Sequence, residues 1–193
     1  MPVTSLDPIA SNQCYRDVKL SSLTDDLLDM VAQRALAAQQ HGHIIEHEWT
    51  WSDQLRFWPG WRQIPQLHDI AADCLVPCKV GVQLLPPGVF MPVHTDGTHT
   101  HWRCCSIATV LWPQRDIPST HWYQTLDSTE PAVTADWRLH QSKLINVTTP
   151  HGGIQVGDQW RITLQISFAT SFAETVALIN SEQLFRTARC DWE

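Results

Sequence analysis

The sequence predicts a mainly β protein with N-terminal helices, in which a sandwich or barrel follows a helical first third. Three observations carry that expectation. Helical spacing of apolar residues is confined to the chain before Pro77. After Pro77, short segments rich in Val, Ile, Leu and Thr follow one another, separated by Pro, Gly and Asp. The last of these alternates strictly: Arg161, Thr163, Gln165 and Ser167 on one side, Ile162, Leu164, Ile166 and Phe168 on the other. On a pleated strand this gives one polar and one apolar wall, and a polar wall that carries an arginine is suited to lining a pocket.

Taken in order, Ser22 or Thr24 can cap a helix that begins at Asp25-Asp26, whose carboxylates suit the positive end of the helix dipole. Leu27, Leu28, Val31, Ala35 and Leu36 then recur at helical spacing until Gln39-Gln40-His41-Gly42. A shorter helix is predicted from Ile64 to Cys74, with Pro65 in its first turn. Strands are predicted at Lys79–Leu85, Val89–His94, Arg103–Trp112, His121–Leu126, Lys143–Thr148, Ile154–Val156 and Arg161–Ala169, with Pro86-Pro87-Gly88 turning between the first two. No repeat, low-complexity tract or long linker divides the chain. The expectation is one domain over 1–193: a helical and irregular layer at 1–77, a β core at 78–170 and an extension at 171–193.

The 193 residues are 43% apolar, enough to bury a real core. With a formal charge of −7 and no run of Lys or Arg, a nucleic-acid or anionic-membrane surface is not expected, because such binding needs clustered positive charge. A small-molecule or peptide substrate remains open. No stretch approaches the ~20 apolar residues of a spanning helix, and the N-terminus lacks a basic region followed by an apolar core. The expectation is therefore a cytoplasmic protein whose cysteines (Cys14, Cys74, Cys78, Cys104, Cys105 and Cys190) are reduced. The ten tryptophans, several between Trp49 and Trp61, are expected to pack against a sheet, with a substrate platform as the minority reading. Trp102 and Trp112 are likewise read as packing.

His94-Thr95-Asp96 closes a predicted strand, and residues i and i+2 on an extended chain project to the same side. An imidazole and a carboxylate can thus converge on one ion, with a third ligand from elsewhere completing a two-His-one-carboxylate face. With ten histidines in the chain, a His-x-Asp alone is a weak signal. Its context strengthens it: Leu84-Leu85-Pro86-Pro87-Gly88 precedes, Thr149-Pro150-His151 follows at another strand edge, and Arg161 comes ten residues later. Plainer uses exist for each. Asp96 could cap a turn with Gly97, His151-Gly152-Gly153 could be a loop bend, and Arg161 could pair with Asp158 at the surface. His99 and His101, close to His94 in sequence, invite a metal reading, but a solvated loop is preferred, with an edge of the pocket mouth as a further option; His41, His43 and His47 carry no assigned role.

The segments LLPPGVFMPVHTDGTHTHWR and TPHGGIQVGDQWRITLQISF resemble the double-stranded β-helix (jelly-roll, cupin-like) core of the Fe(II)/2-oxoglutarate-dependent dioxygenases. Within these, the resemblance is nearest to the aspartyl/asparaginyl β-hydroxylase and proline hydroxylase branch. It covers roughly Lys79 to Phe168. It implies that His94, Asp96 and His151 ligate Fe(II), and that Arg161 clamps the distal carboxylate of the cosubstrate 2-oxoglutarate. Arg103 would also face the cosubstrate, and Thr163, on the same face as Arg161, could add a hydroxyl. The implied reaction couples decarboxylation of 2-oxoglutarate to succinate with hydroxylation of an amino-acid side chain, free or peptide-borne. Animal-type aspartyl β-hydroxylases lack the carboxylate ligand, so Asp96 moves the comparison towards free-amino-acid hydroxylases and away from a halogenase. Two other classes compete: a cupin-like metal- or ligand-binding module without turnover, which has no need for two arginines near the ion, and a zinc hydrolase. The hydrolase needs a general base, and glutamates are scarce between His94 and His151, where Glu130 is the single one.

Overall fold

The computed structural model describes residues 7–43, 55–96 and 103–193. Trp49, Trp51, His47, Gly97, His99, His101 and Trp102 lie outside them. The chain opens with α1 (Ser11–Cys14), β1 (Tyr15–Leu20), α2 (Asp25–Gln40), β2 (Arg56–Phe57) and α3 (Pro65–Asp73). Then come β3 (Cys78–Leu85), β4 (Phe90–Met91), β5 (Cys105–Trp112), β6 (Thr120–Trp122), β7 (Val133–Ala135) and β8 (Ser142–Asn146). The last elements are β9 (His151–Gly152), β10 (Ile154–Gln155), β11 (Arg161–Phe168), α4 (Phe172–Asn180) and β12 (Cys190–Trp192).

Local chemistry explains the helices. Thr24 caps α2 by accepting from the Leu27 N–H, and Asp25 and Asp26 occupy the first turn. Pro65 opens α3 at a position that has no use for an amide hydrogen. In α4, Ser171 and Glu174 form a reciprocal capping box.

The strands form a seven-stranded antiparallel sheet in the order β12-β1-β8-β5-β11-β3-β2, a three-stranded sheet β7-β6-β9 and a two-stranded sheet β10-β4. One face of the large sheet packs on the helices. There Leu28, Val31 and Ala35 of α2 and Leu67 of α3 meet Val82, Ile107, Leu144, Ile162, Leu164 and Phe168. The other face looks into the barrel. Two smaller apolar clusters lie on that side, one around Trp122, Trp137, Val110 and Ile145, the other around Leu55, Leu85, Met91 and Ile154. The fold is a mainly β double-stranded β-helix with N-terminal helices, as the sequence predicts.

Several elements differ from expectation. The strand predicted over Val89–His94 is regular only at Phe90–Met91, because Pro92 has no amide hydrogen for a ladder; pairing resumes as a single bridge at His94. The segment predicted over His121–Leu126 is regular only at Thr120–Trp122. The large sheet also recruits β1 from the N-terminal layer and β12 from the C-terminal extension, paired to each other. Of the tryptophans, Trp58 is buried in the main core, with Trp61 and Trp112 packed against it. No described helix is long and apolar enough to cross a membrane, and all six cysteines are free.

Candidate metal centre

Two short backbone pairings bring the predicted ligands together. His94 and His151 form an antiparallel bridge in which each N–H donates to the other's carbonyl at 2.8 Å. The Asp96 N–H donates to the Val147 carbonyl at 2.8 Å, fixing the next residue but one. The bridge demands glycine beside it. Gly152 has φ +128° and Gly153 φ +61°, and a Cβ on the first would collide with the Pro92 carbonyl and on the second with the Tyr123 hydroxyl. The Gly152-Gly153 pair thus lets His151 approach His94, which is more than a loop bend.

The His94 and His151 rings lie 4.4 Å apart between centroids. His94 Nδ1 is 2.9 Å from the Pro92 carbonyl and His151 Nδ1 is 3.0 Å from the Thr149 carbonyl. A carbonyl only accepts, so each Nδ1 carries the hydrogen and each Nε2 keeps its lone pair. Asp96 Oδ1 is 4.0 Å from His94 Nε2. One ligand atom from each of the three residues lies within 4.8 Å of the others, the only such group among the described residues. Burial holds the His94 imidazole below its ordinary pKa, and Arg103 adds to that effect. His151 is pushed down to about 3, chiefly by burial and then by His94. Both rings are thus neutral at physiological pH, the form that binds a metal.

Arg161, Thr163 and Gln165 of β11 line one cavity with His94, Asp96 and His151, and Leu55, Leu85, Met91 and Ile154 supply an apolar wall. Arg161 is 5% exposed, so it is not a surface partner of Asp158. Its Nη2 makes a marginal 3.5 Å contact with the Thr120 hydroxyl, and its guanidinium lies 5.9 Å from the Trp137 ring centroid. Among the described residues its Nε and Nη1 are buried without a hydrogen-bond partner. Burial lowers its pKa to about 10, which leaves it charged at neutral pH. A buried cation with two unmatched donors is costly unless an anion meets it. This end of the cavity therefore fits a carboxylate, and the three-ligand face fits a metal ion. Arg103 also lines the cavity, but its contacts are to Asp96, at 3.2 Å, and to the Ser106 hydroxyl, at 3.1 Å.

Sequence reading missed Thr120 and Trp137. The Trp137 indole N–H donates to the Thr120 hydroxyl at 3.0 Å, and both line the cavity beside Arg161. Thr120 sits one residue outside a predicted strand, and Trp137 in a segment without periodicity, so neither carried a signal.

No family model matches the chain, and no curated protein matches it in sequence. Solved structures do match. A prolyl hydroxylase from Trichoplax adhaerens, in complex with a hypoxia inducible factor peptide fragment, superposes with a TM-score of 0.59 at 15% identity, covering 87% of this chain and 88% of its own. The fold is one that prolyl hydroxylases use. A Pseudomonas putida prolyl-4-hydroxylase gives 0.52 at 15% identity, covering 79% and 92%. SnoN, a non-haem α-ketoglutarate-dependent epimerase from nogalamycin biosynthesis, gives 0.55 at 12% identity, covering 82% and 77%. The double-stranded β-helix here is the fold of these structures, and it carries a His-x-Asp…His group.

Proposed function

We propose that the chain is a non-haem Fe(II), 2-oxoglutarate-dependent oxygenase that hydroxylates an amino-acid side chain, free or within a peptide. The observation that carries the reading is Arg161, a buried guanidinium with two nitrogens unpartnered among the described residues, in the same cavity as the His94, Asp96 and His151 donors. His94, Asp96 and His151 would hold the metal. Iron would supply the oxidising chemistry that couples O2 and 2-oxoglutarate to oxidation of a C–H bond. Arg161 would take the far carboxylate of 2-oxoglutarate through its planar fork, with the hydroxyls of Thr163 and Thr120 alongside. Leu55, Leu85, Met91 and Ile154 would exclude water from the reacting end. A module that holds only a metal has no use for an unmatched buried cation beside a three-ligand face.

The two prolyl hydroxylases of this fold support an amino-acid side chain as target, and the epimerase of the same fold is the main competing outcome. The test is incubation with Fe(II), 2-oxoglutarate and O2 over panels of free amino acids and short peptides, with succinate and product mass followed together. Succinate formed in step with a product one oxygen heavier is the expected result. A product of unchanged mass would make the enzyme an epimerase. Absence of succinate despite bound 2-oxoglutarate, with every substrate, would favour the binding module.

A further inference from the structure

Among the described residues, Arg103 contacts Asp96 and Ser106. Nη1 lies 3.2 Å from Asp96 Oδ2 and Nε donates to Ser106 Oγ at 3.1 Å. Ser106 Oγ is in turn 2.8 Å from Ser167 Oγ on the neighbouring strand, and both serines are buried. The two oxygens of Asp96 are thereby distinguished. Oδ1 faces the His94 Nε2 at 4.0 Å, whereas Oδ2 faces the guanidinium. A free carboxylate can give a metal both oxygens, and a second oxygen on the metal would fill a position that the two-His-one-carboxylate face otherwise leaves open.

We propose that Arg103 is a positioning residue that restricts Asp96 to one-oxygen coordination, and that the Ser106–Ser167 pair holds Arg103 in that role. This rests on the metal-centre reading above and gives Arg103 a task other than binding the cosubstrate. Ser106 and Ser167 come from two adjacent strands and Arg103 lies two residues before the first of them, so the strut is anchored in the large sheet. Arginine suits it because one planar group reaches the carboxylate through Nη1 and the serine through Nε at once, which a lysine ammonium cannot do.

The test uses Co(II) alone as the probe, titrated into full-length protein without 2-oxoglutarate and read by its visible d–d absorption. In Arg103→Met, Oδ2 is released and a like charge near the ion is removed, and both changes favour the metal. Co(II) is expected to bind about tenfold tighter or more, because a unit positive charge within a few ångströms of the ion repels it. The d–d spectrum should change with the added oxygen donor. Ser106→Ala, which leaves Arg103 in place without its Nε partner, should shift spectrum and affinity in the same direction by less. It also keeps the test open if Arg103→Met does not fold. Unchanged Co(II) affinity and spectrum in both variants, with 2-oxoglutarate binding weakened in Arg103→Met, would overturn the proposal and return Arg103 to the cosubstrate. Weaker Co(II) binding would overturn it as well, by showing that Arg103 only steadies Asp96. Wild-type protein that takes up no Co(II) would instead remove the metal centre itself.

Discussion

Along β11, Ile162, Leu164, Ile166 and Phe168 are at most 1% exposed and pack on the helices, whereas Arg161, Thr163, Gln165 and Ser167 are 5–8% exposed and face the barrel. Burial is nearly the same on the two faces; what differs is how the buried groups are satisfied. The outer face is apolar and satisfied by contact. On the inner face, Ser167 is bonded to Ser106 at 2.8 Å and Gln165 donates to Gln83 at 2.9 Å, but two nitrogens of Arg161 have no partner among the described residues. Satisfaction thus runs out towards the end of the strand where the ligand atoms of His94, Asp96 and His151 gather. A buried polar residue with matched bonds reads as architecture; one with unmatched donors beside a metal-ligand group reads as a binding site.

Substitutions on the two faces should therefore separate function from stability. The largest effect is expected from Arg161→Met. It should weaken 2-oxoglutarate binding about 1000-fold, roughly 4 kcal/mol for two charge-assisted hydrogen bonds, measured calorimetrically on metal-loaded protein. Metal affinity should be retained. The melting temperature of the metal-free protein should stay level or rise, because an unpaired buried charge has been replaced by an apolar chain. A large loss of stability with cosubstrate affinity unchanged would make Arg161 an architectural residue. Leu164→Ala, one strand position from Thr163 but on the outer face, should do the reverse. Its cost is about 3 kcal/mol in chemical denaturation from lost contacts and the cavity left behind, with 2-oxoglutarate affinity of the folded fraction near wild type. The smallest effect belongs to Gln165→Leu, at about 1 kcal/mol of stability for the lost bond to Gln83. A Gln165→Leu effect as large as that of Leu164→Ala would show that the inner face is as much a core as the outer one.

The contrast between the faces was legible in the sequence, because β11 alternates without exception and its apolar half had to meet other apolar elements. So were α2, α3 and the long central strands, each marked by regular spacing and a cap, proline or turn at its ends. His94 and Asp96 were legible as neighbours on one extended face. What the sequence hid depends on partners remote in the chain. β1 and β12 are edge-side strands with mixed, partly buried residues, and their pairing partners lie far from them in sequence. Thr120 and Trp137 reach the cavity through tertiary packing. α4 is of a different kind, since the Ser171-x-x-Glu174 capping signal stands ahead of an apolar run and marks the helix start in the sequence itself. For Arg103, spacing placed the residue near the site but not its contacts, which the structure directs to Asp96 and Ser106.

The central claim is that one cavity takes a metal at His94, Asp96 and His151 and 2-oxoglutarate across to Arg161. The direct test is an anaerobic titration of Fe(II)-loaded protein with 2-oxoglutarate, watching for the weak visible charge-transfer band of a keto acid chelated to iron. The wild type should develop the band saturably and His94→Ala should not. No band in the wild type, or the same band in His94→Ala, would contradict the account.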